Sequence, residues 1–259
     1  MLVKPKKSLG QNFLHDKNII NKIIDASNIN FKDEVLEIGP GTGNLTEFII
    51  SQNPKKIDVI ERDENLAKIL EKKFLDKINI VTKDILSIPF EFYSKRKFKI
   101  LGNLPYNIST KILSTWCLNN NLSVSKMILM FQKEVAERIV AKVNTKNYSR
   151  ITVLSNWKFN IRKIIDVKPN SFFPKPKVHS TVLEFIPKKK IHEIKDPKNL
   201  EKITKVFFSQ RRKMIKKPIQ LLFKNLDFDY SKINANPSDR PQNLSIDKYL
   251  KIVSEYEKL

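Results

Sequence analysis

One stretch limits the fold more than any other: the apolar run at residues 35–38 passes directly into Gly39-x-Gly41-x-Gly43 and then into an amphipathic run at residues 45–50. A strand that feeds a glycine turn and opens a helix begins a βαβ unit, and the turn lets the backbone come close to a ligand. The pattern repeats. Strand-like runs at residues 57–60, 78–81 and 99–101 alternate with helical stretches, and Leu66, Ile69, Leu70 and Phe74 share one face at helical spacing. Such alternation predicts an α/β fold built of parallel βαβ units. Apolar runs at residues 127–131, 164–167 and 178–186 extend the sheet, with a helical stretch at 133–142.

The composition changes after Pro187, where Lys188, Lys189 and Lys190 form a basic linker. Residues 1–187 read as the main α/β domain and residues 188–259 as a small helical domain, in which Leu200, Ile203, Val206 and Phe207 are spaced for one face. That tail holds 18 Lys and Arg against 9 Asp and Glu, a net +9, within a chain of 259 residues whose formal charge is +22. Excess positive charge favours a polyanion such as nucleic acid without choosing a sequence. A lysine-rich composition bias would produce part of the same excess, so charge alone favours nucleic acid only modestly. No apolar run approaches the length of a membrane span. The N-terminus has lysines but no apolar stretch behind them, so a cytoplasmic protein is expected. Cys117 has no partner for a disulfide, and neither it nor the isolated His15, His179 and His192 stands at metal-ligand spacing, so no metal is expected. No self-complementary stripe points to a dimer, and a monomer is expected.

Two acidic strand ends accompany the glycine turn. Glu61 closes the run at 57–60, about twenty residues on, where a carboxylate can take both hydroxyls of a ribose. Asp84 follows the next run and can accept from an adenine amine while Ile85 covers the ring; alone, an aspartate there is more often a turn former or a helix cap. A dinucleotide site would give the same outline, but its fingerprint wants glycine where Asn44 stands. The Gly39-x-Gly41-x-Gly43 register, preceded by Glu37, resembles motif I of the class I methyltransferases.

The fourth strand ends in Asn103, Leu104, Pro105 and Tyr106, followed by Asn107, Ile108 and Ser109. The N6 lone pair of adenine is delocalised into the ring, so the amine attacks carbon poorly as it stands. Acceptors that hold its N–H groups, here the Asn103 side-chain oxygen and the Leu104 main-chain carbonyl, favour a tetrahedral nitrogen as a methyl group arrives. Pro105 stiffens the loop and removes a competing donor. Tyr106 can stack on a base taken out of its helix or caught unpaired.

Asn103 to Tyr106 with Ile108 and Ser109 resembles the active-site motif of the KsgA-type 16S rRNA adenine dimethyltransferases. Residues 7–14, 132–138, 172–178 and 208–213 are similar to other segments of that family, so the resemblance spans nearly the whole chain. It implies a class I methyltransferase Rossmann-like sheet with a small C-terminal helical domain, and S-adenosylmethionine as cofactor. It also implies dimethylation of two adjacent adenosines near the 3′ end of 16S rRNA within the assembling small ribosomal subunit. On that resemblance Asn12 and Leu14 close over the cofactor, Gly39 and Gly41 lie against it, Glu61 holds the ribose, Asp84 the adenine, and Asn103 faces both cofactor and target amine. Phe172 covers the base face opposite Tyr106, and Arg211, Arg212 and Lys213 grip rRNA phosphates. Two departures stand out: Thr110 and Lys111 where the family has proline soon after Ile-Ser, and Ser149 where it often has glycine between Tyr148 and Arg150. Three competing readings are a large-subunit adenine methyltransferase of the antibiotic-resistance class, a non-catalytic assembly factor on the same fold and, less favoured, a DNA adenine methyltransferase. Residues 132–138 and 208–213 favour the small-subunit class over the first. The acceptor loop together with the carboxylates speaks against the second, and the absence of an evident sequence-reading domain against the third.

Overall fold

Period-two and period-3.6 patterns become elements in strict sequence order. The computed structural model describes residues 5–6, 9–94, 96–224 and 227–259, with the backbone alone at Phe90. Strands are β1 (Phe13–Leu14), β2 (Glu34–Ile38), β3 (Lys56–Glu61), β4 (Asn79–Thr82), β5 (Phe98–Asn103), β6 (Val124–Gln132), β7 (Phe159–Val167), β8 (Phe172–Phe173) and β9 (Ser180–Pro187). Helices are α1 (Lys17–Ser27), α2 (Asn44–Ser51), α3 (Glu64–Phe74), α4 (Phe90–Ser94), α5 (Ser109–Leu118), α6 (Lys133–Ile139), α7 (Arg150–Lys158), α8 (Pro197–Ser209), α9 (Lys216–Leu222) and α10 (Ile246–Tyr256).

Seven strands form one sheet in the order β4-β3-β2-β5-β6-β9-β7. Those from β4 to β6 are parallel, with Val35 opposite Ile57 and Leu36 opposite Ile100, and β9 runs antiparallel to β6 with Leu183 opposite Leu129. Parallel strands are covered on both faces, which is why they read as unbroken apolar runs: Leu36, Val59, Ile100 and Leu129 are all buried. The chain winds outward from β2 to β4 and then returns to place β5 on the other side of β2, so the direction of winding reverses at the β2–β5 pair. In an open sheet of this kind a ligand crevice forms there, at the carboxyl ends of the strands.

Helix α1 shows how the layer on the sheet is held. Asp16 caps it by accepting from the amides of Asn18 and Ile19, Asn28 ends it in a left-handed conformation, and Ile19, Ile20, Ile23 and Ile24 fall on the buried side. Full burial of an isoleucine contributes about 1.5–3 kcal/mol, so this stripe outweighs the weak helix propensity of four β-branched residues.

The described residues divide into two compact units, the first made of residues up to 113, 121–136 and 160–187. The second takes residues 114–120 and 137–159 together with 188–259. Within it α8 buries Leu200, Ile203, Thr204 and Phe207. Tyr249 of α10 stacks on Phe208, meets Phe207 edge-on, and donates its hydroxyl to the Pro241 carbonyl at 2.8 Å. The Arg150 guanidinium pairs with Glu201, and the Trp157 indole N–H donates to the His192 carbonyl at 2.9 Å. Ser149, at the head of α7, has φ of −154°, extended backbone open to any residue, so serine stands there without strain in place of the family's glycine. No helix among the described residues is long and apolar enough to cross a membrane, and these residues contain no group of three or more His, Cys, Asp or Glu able to hold a metal ion.

Candidate active site

The turn after β2 depends on glycine for space as well as for φ. Gly41 (φ +60°) would place a Cβ 2.7 Å from the Phe13 ring, and Gly43 (φ +80°), which heads α2, would place one 2.5 Å from the ring of Phe74. No side chain fits either position. The Gly41 amide donates to Glu61 Oε2 at 3.2 Å, and the Asp63 amide donates to Glu61 Oε1 at 2.9 Å. Backbone donors therefore aim this buried carboxyl at the turn. Burial raises the Glu61 pKa, and those two hydrogen bonds partly oppose the shift. Deeper in, Glu37 is fully enclosed, accepts from the Thr46 hydroxyl at 2.7 Å, and has its carboxyl pKa pushed up to about 8 by burial.

Asp84 has two structural jobs besides facing the cleft. Its Oδ1 accepts from the Leu86 amide at 2.9 Å, and its Oδ2 pairs with the Arg62 guanidinium at 3.2 Å. The helix-cap use anticipated for a lone strand-end aspartate is thus present here. It does not remove the group from the cleft, because each carboxylate oxygen keeps a second lone pair.

The loop after β5 is fixed from both ends. Asn103 donates its side-chain N–H to the main-chain carbonyl of Asn12 at 2.8 Å, which sets the amide orientation and leaves Oδ1 on the opposite side. Among the described residues no donor reaches Asn103 Oδ1 or the Leu104 carbonyl. Downstream, the Ile108 amide closes a turn onto the Pro105 carbonyl at 3.1 Å, and the Ser109 hydroxyl bonds the Tyr106 carbonyl at 3.2 Å. The Tyr106 hydroxyl meets that of Ser180, and burial pushes the phenol pKa up, so it remains protonated.

These groups converge on one cleft, open to solvent, with about 810 Å³ of empty space counted out to its mouth. Asn12, Gly39, Gly41, Glu61, Asp84, Asn103, Leu104, Pro105 and Tyr106 all line it. Leu14 does not; it borders an adjoining pocket together with Glu37, Gly39 and Asn103. Phe172 does not line this cleft either. Its ring is 3% exposed inside the apolar cluster with Leu14, Ile19 and Ile23, whereas Phe173 is 55% exposed. Strand alternation explains the swap: Phe172 pairs with buried Leu14, so the next side chain points outward. Of the three basic tail residues, Arg211 donates to the carbonyls of Thr145 and Lys146, while Arg212 and Lys213 are exposed. Lys7 and Ser8, the start of the N-terminal motif, lie outside the described residues. Asp63 and Ser180 escaped the sequence reading, although the spacing Glu61-x-Asp63 at a strand end was visible.

A glycine turn at the switch point of such a sheet, a buried carboxylate tied to it and an acceptor-bearing loop at the tip of the adjacent strand define a class I, S-adenosylmethionine-dependent methyltransferase. Residues 3–258 match the family described as ribosomal RNA adenine dimethylase, and the chain belongs to that family. It is 52% identical to ribosomal RNA small subunit methyltransferase A of Pelagibacter ubique, over 100% of this chain and 99% of that one. In three dimensions it is similar to a dimethyladenosine transferase from Plasmodium falciparum, with a TM-score of 0.80 and 27% identity over 95% of this chain and 98% of that one. The 23S rRNA methyltransferase ErmE shares the fold, with a TM-score of 0.69 and 22% identity over 95% of this chain and all of that one.

Proposed function

We propose that this protein dimethylates N6 of two adjacent adenosines near the 3′ end of 16S rRNA, acting as a cytoplasmic monomer on the assembling small ribosomal subunit. The observation that carries the reading is the pair of unfilled acceptors, Asn103 Oδ1 and the Leu104 carbonyl, in the same cleft as Glu61 and Asp84. S-adenosylmethionine, when bound, supplies an electrophilic methyl group on sulfur. Glu61 takes the ribose hydroxyls and Asp84 the adenine amine, while Gly39 and Gly41 leave room for the backbone to lie against the cofactor, and Asn12 and Leu14 close over it.

On the RNA side, the two acceptors would hold the N–H groups of the target amine and draw its lone pair out of the ring, leaving that nitrogen ready to attack a methyl donor. A general base is unnecessary: attack makes the nitrogen cationic, and its proton leaves to water or a backbone acceptor. Tyr106, held by Ser180, offers its ring to the extruded base. The basic tail at 188–259, with Arg212 and Lys213 exposed, holds phosphates. The test is transfer of labelled methyl to unmethylated small subunits with the modified nucleotides mapped. Asn103→Ala is expected to lower transfer by at least about 100-fold, the scale of removing a preorganised transition-state interaction, with RNA binding retained. Equal transfer by that variant sinks the mechanism.

A further inference from the structure

Asp63 is more heavily engaged than a helix cap requires. It is 4% exposed and heads α3, its Oδ1 accepting from the Asn65 amide at 3.0 Å. The same oxygen accepts from Lys6 Nζ at 2.8 Å, and Oδ2 accepts from Gln11 Nε2 at 2.9 Å. Gln11 in turn accepts from the Lys6 amide at 2.7 Å. The residue after Gln11 is Asn12, whose carbonyl takes the Asn103 side-chain N–H. Two hydrogen bonds joined by the Gln11–Asn12 peptide link thus run from beside the ribose carboxylate, through the N-terminal segment, to the acceptor amide of the cleft.

We propose that Asp63 is a positioning residue for methyl transfer: by clasping Gln11 it holds the Asn12 carbonyl where that carbonyl dictates which way the Asn103 amide faces. The inference rests on the role given above to Asn103. A side-chain amide has two orientations related by a half-turn, and only one presents oxygen to an incoming N–H; the other sets donor against donor. Among the described residues the Asn12 carbonyl is the group that separates the two orientations of Asn103. Asn12 is steadied downstream by the pairing of Phe13 with Phe173, and upstream by the grip of Asp63 on Gln11 and Lys6. Releasing the upstream hold at Asp63, which does not itself line the cleft, deletes no group that meets the ligands but lets the Asn103 amide sample its unproductive orientation. The rate of the chemical step then falls in proportion, while affinity for RNA is unaffected.

Two single variants separate the clasp from the cap. Asp63→Ser keeps a side-chain oxygen for the first turn of α3 but is too short to reach Gln11; Gln11→Ala leaves the cap untouched. In both, amide hydrogen exchange at Leu9 and Gln11, whose N–H groups bond the Lys6 carbonyl, should quicken. Single-turnover methyl transfer should fall about 10-fold, the equivalent of one charge-assisted hydrogen bond, with KM for RNA and cofactor affinity by calorimetry each within about 3-fold. The exchanged pair, Asp63→Asn combined with Gln11→Glu, restores a hydrogen bond with donor and acceptor reversed and should recover most of the rate. Full-rate transfer by Gln11→Ala despite quickened exchange would overturn the proposal, and so would an exchanged pair that restores slow exchange without restoring rate. A wild-type protein that binds cofactor but methylates no rRNA would instead defeat the functional reading, with the exchange measurements still reporting on the clasp.

Discussion

Tyr106 and Ser180, 74 residues apart, are joined hydroxyl to hydroxyl, with Ser180 fully buried at the start of β9 and the Tyr106 ring at the cleft. The antiparallel strand that departs from the parallel pattern of the sheet therefore reaches the cleft and orients an aromatic ring on its lining.

Removing that bond should be felt in RNA binding more than in the chemical step. Ser180→Ala is expected to raise KM for RNA about 3- to 10-fold, the range for one net hydrogen bond, with kcat nearly unchanged. Tyr106→Phe should behave alike, and the double variant no worse than either single one. Additive losses in that cycle would show that the two hydroxyls act separately.

Glu61 predicts the pH dependence of cofactor binding. Burial raises its pKa above the ordinary carboxyl value of 4.5, and the ionised form is the better acceptor for two ribose hydroxyls. Affinity measured by calorimetry should therefore begin to weaken, as pH falls, at a higher pH than an ordinary carboxyl would impose, and Glu61→Gln should bind more weakly with a flatter profile. A wild-type profile as flat as that of the variant would remove Glu61 from the role.

Glu37 acts on stability with the opposite sense. Its carboxyl titrates at about 8 in the folded protein against an ordinary 4.5, so between those values the folded state holds a proton that the unfolded state has released. The resulting stability is fully present below the unfolded value and is lost as pH rises through about 8. On moving from about pH 6 to about pH 8.5, Glu37→Gln should lose less melting temperature than wild type, by roughly 5 °C. Parallel curves for the two proteins would contradict a protonated Glu37.

The exposed pair Arg212 and Lys213 should contribute affinity without chemistry. Changing both to alanine is expected to weaken rRNA binding and to flatten the dependence of log affinity on log salt by roughly 0.7 for each single-strand phosphate no longer gripped, leaving single-turnover methyl transfer intact at saturating RNA. Point substitutions are preferable to truncation at 187, because Glu201 pairs with Arg150 and Phe208 packs beside Tyr148 within the second unit. An unchanged salt slope would move the phosphate grip elsewhere.

How much of this was legible follows from sequence distance. Val35 to Ile38, the glycine turn and α2 are contiguous, so apolar run, turn chemistry and helical period appear in one window, and Glu61 and Asp84 follow as the ends of the next two strands. Asn103 and Leu104 were readable because acceptor and proline stand close together. The burial of Phe172 was not legible because the parity of β8 is set by pairing with Phe13 and Leu14, far away in the chain, and local alternation cannot say which of two adjacent phenylalanines faces inward. The clasp of Asp63 on Gln11 spans 52 residues and leaves only a strand-end acid and a polar residue in the sequence. The edge of the tail was legible at Pro187 as a composition change, but the recruitment of residues 137–159 to its unit depends on packing that a linear pattern does not encode.

Gly39, Glu61, Asp84 and Asn103 all hang at or just past the carboxyl tips of β2, β3, β4 and β5, while the ladder beneath them is packed largely with buried aliphatic side chains. Inheritance can treat the two layers independently. Descendants of such a chain could trade the rim that meets RNA, acquiring a different address on the ribosome, without disturbing a single rung of the scaffold.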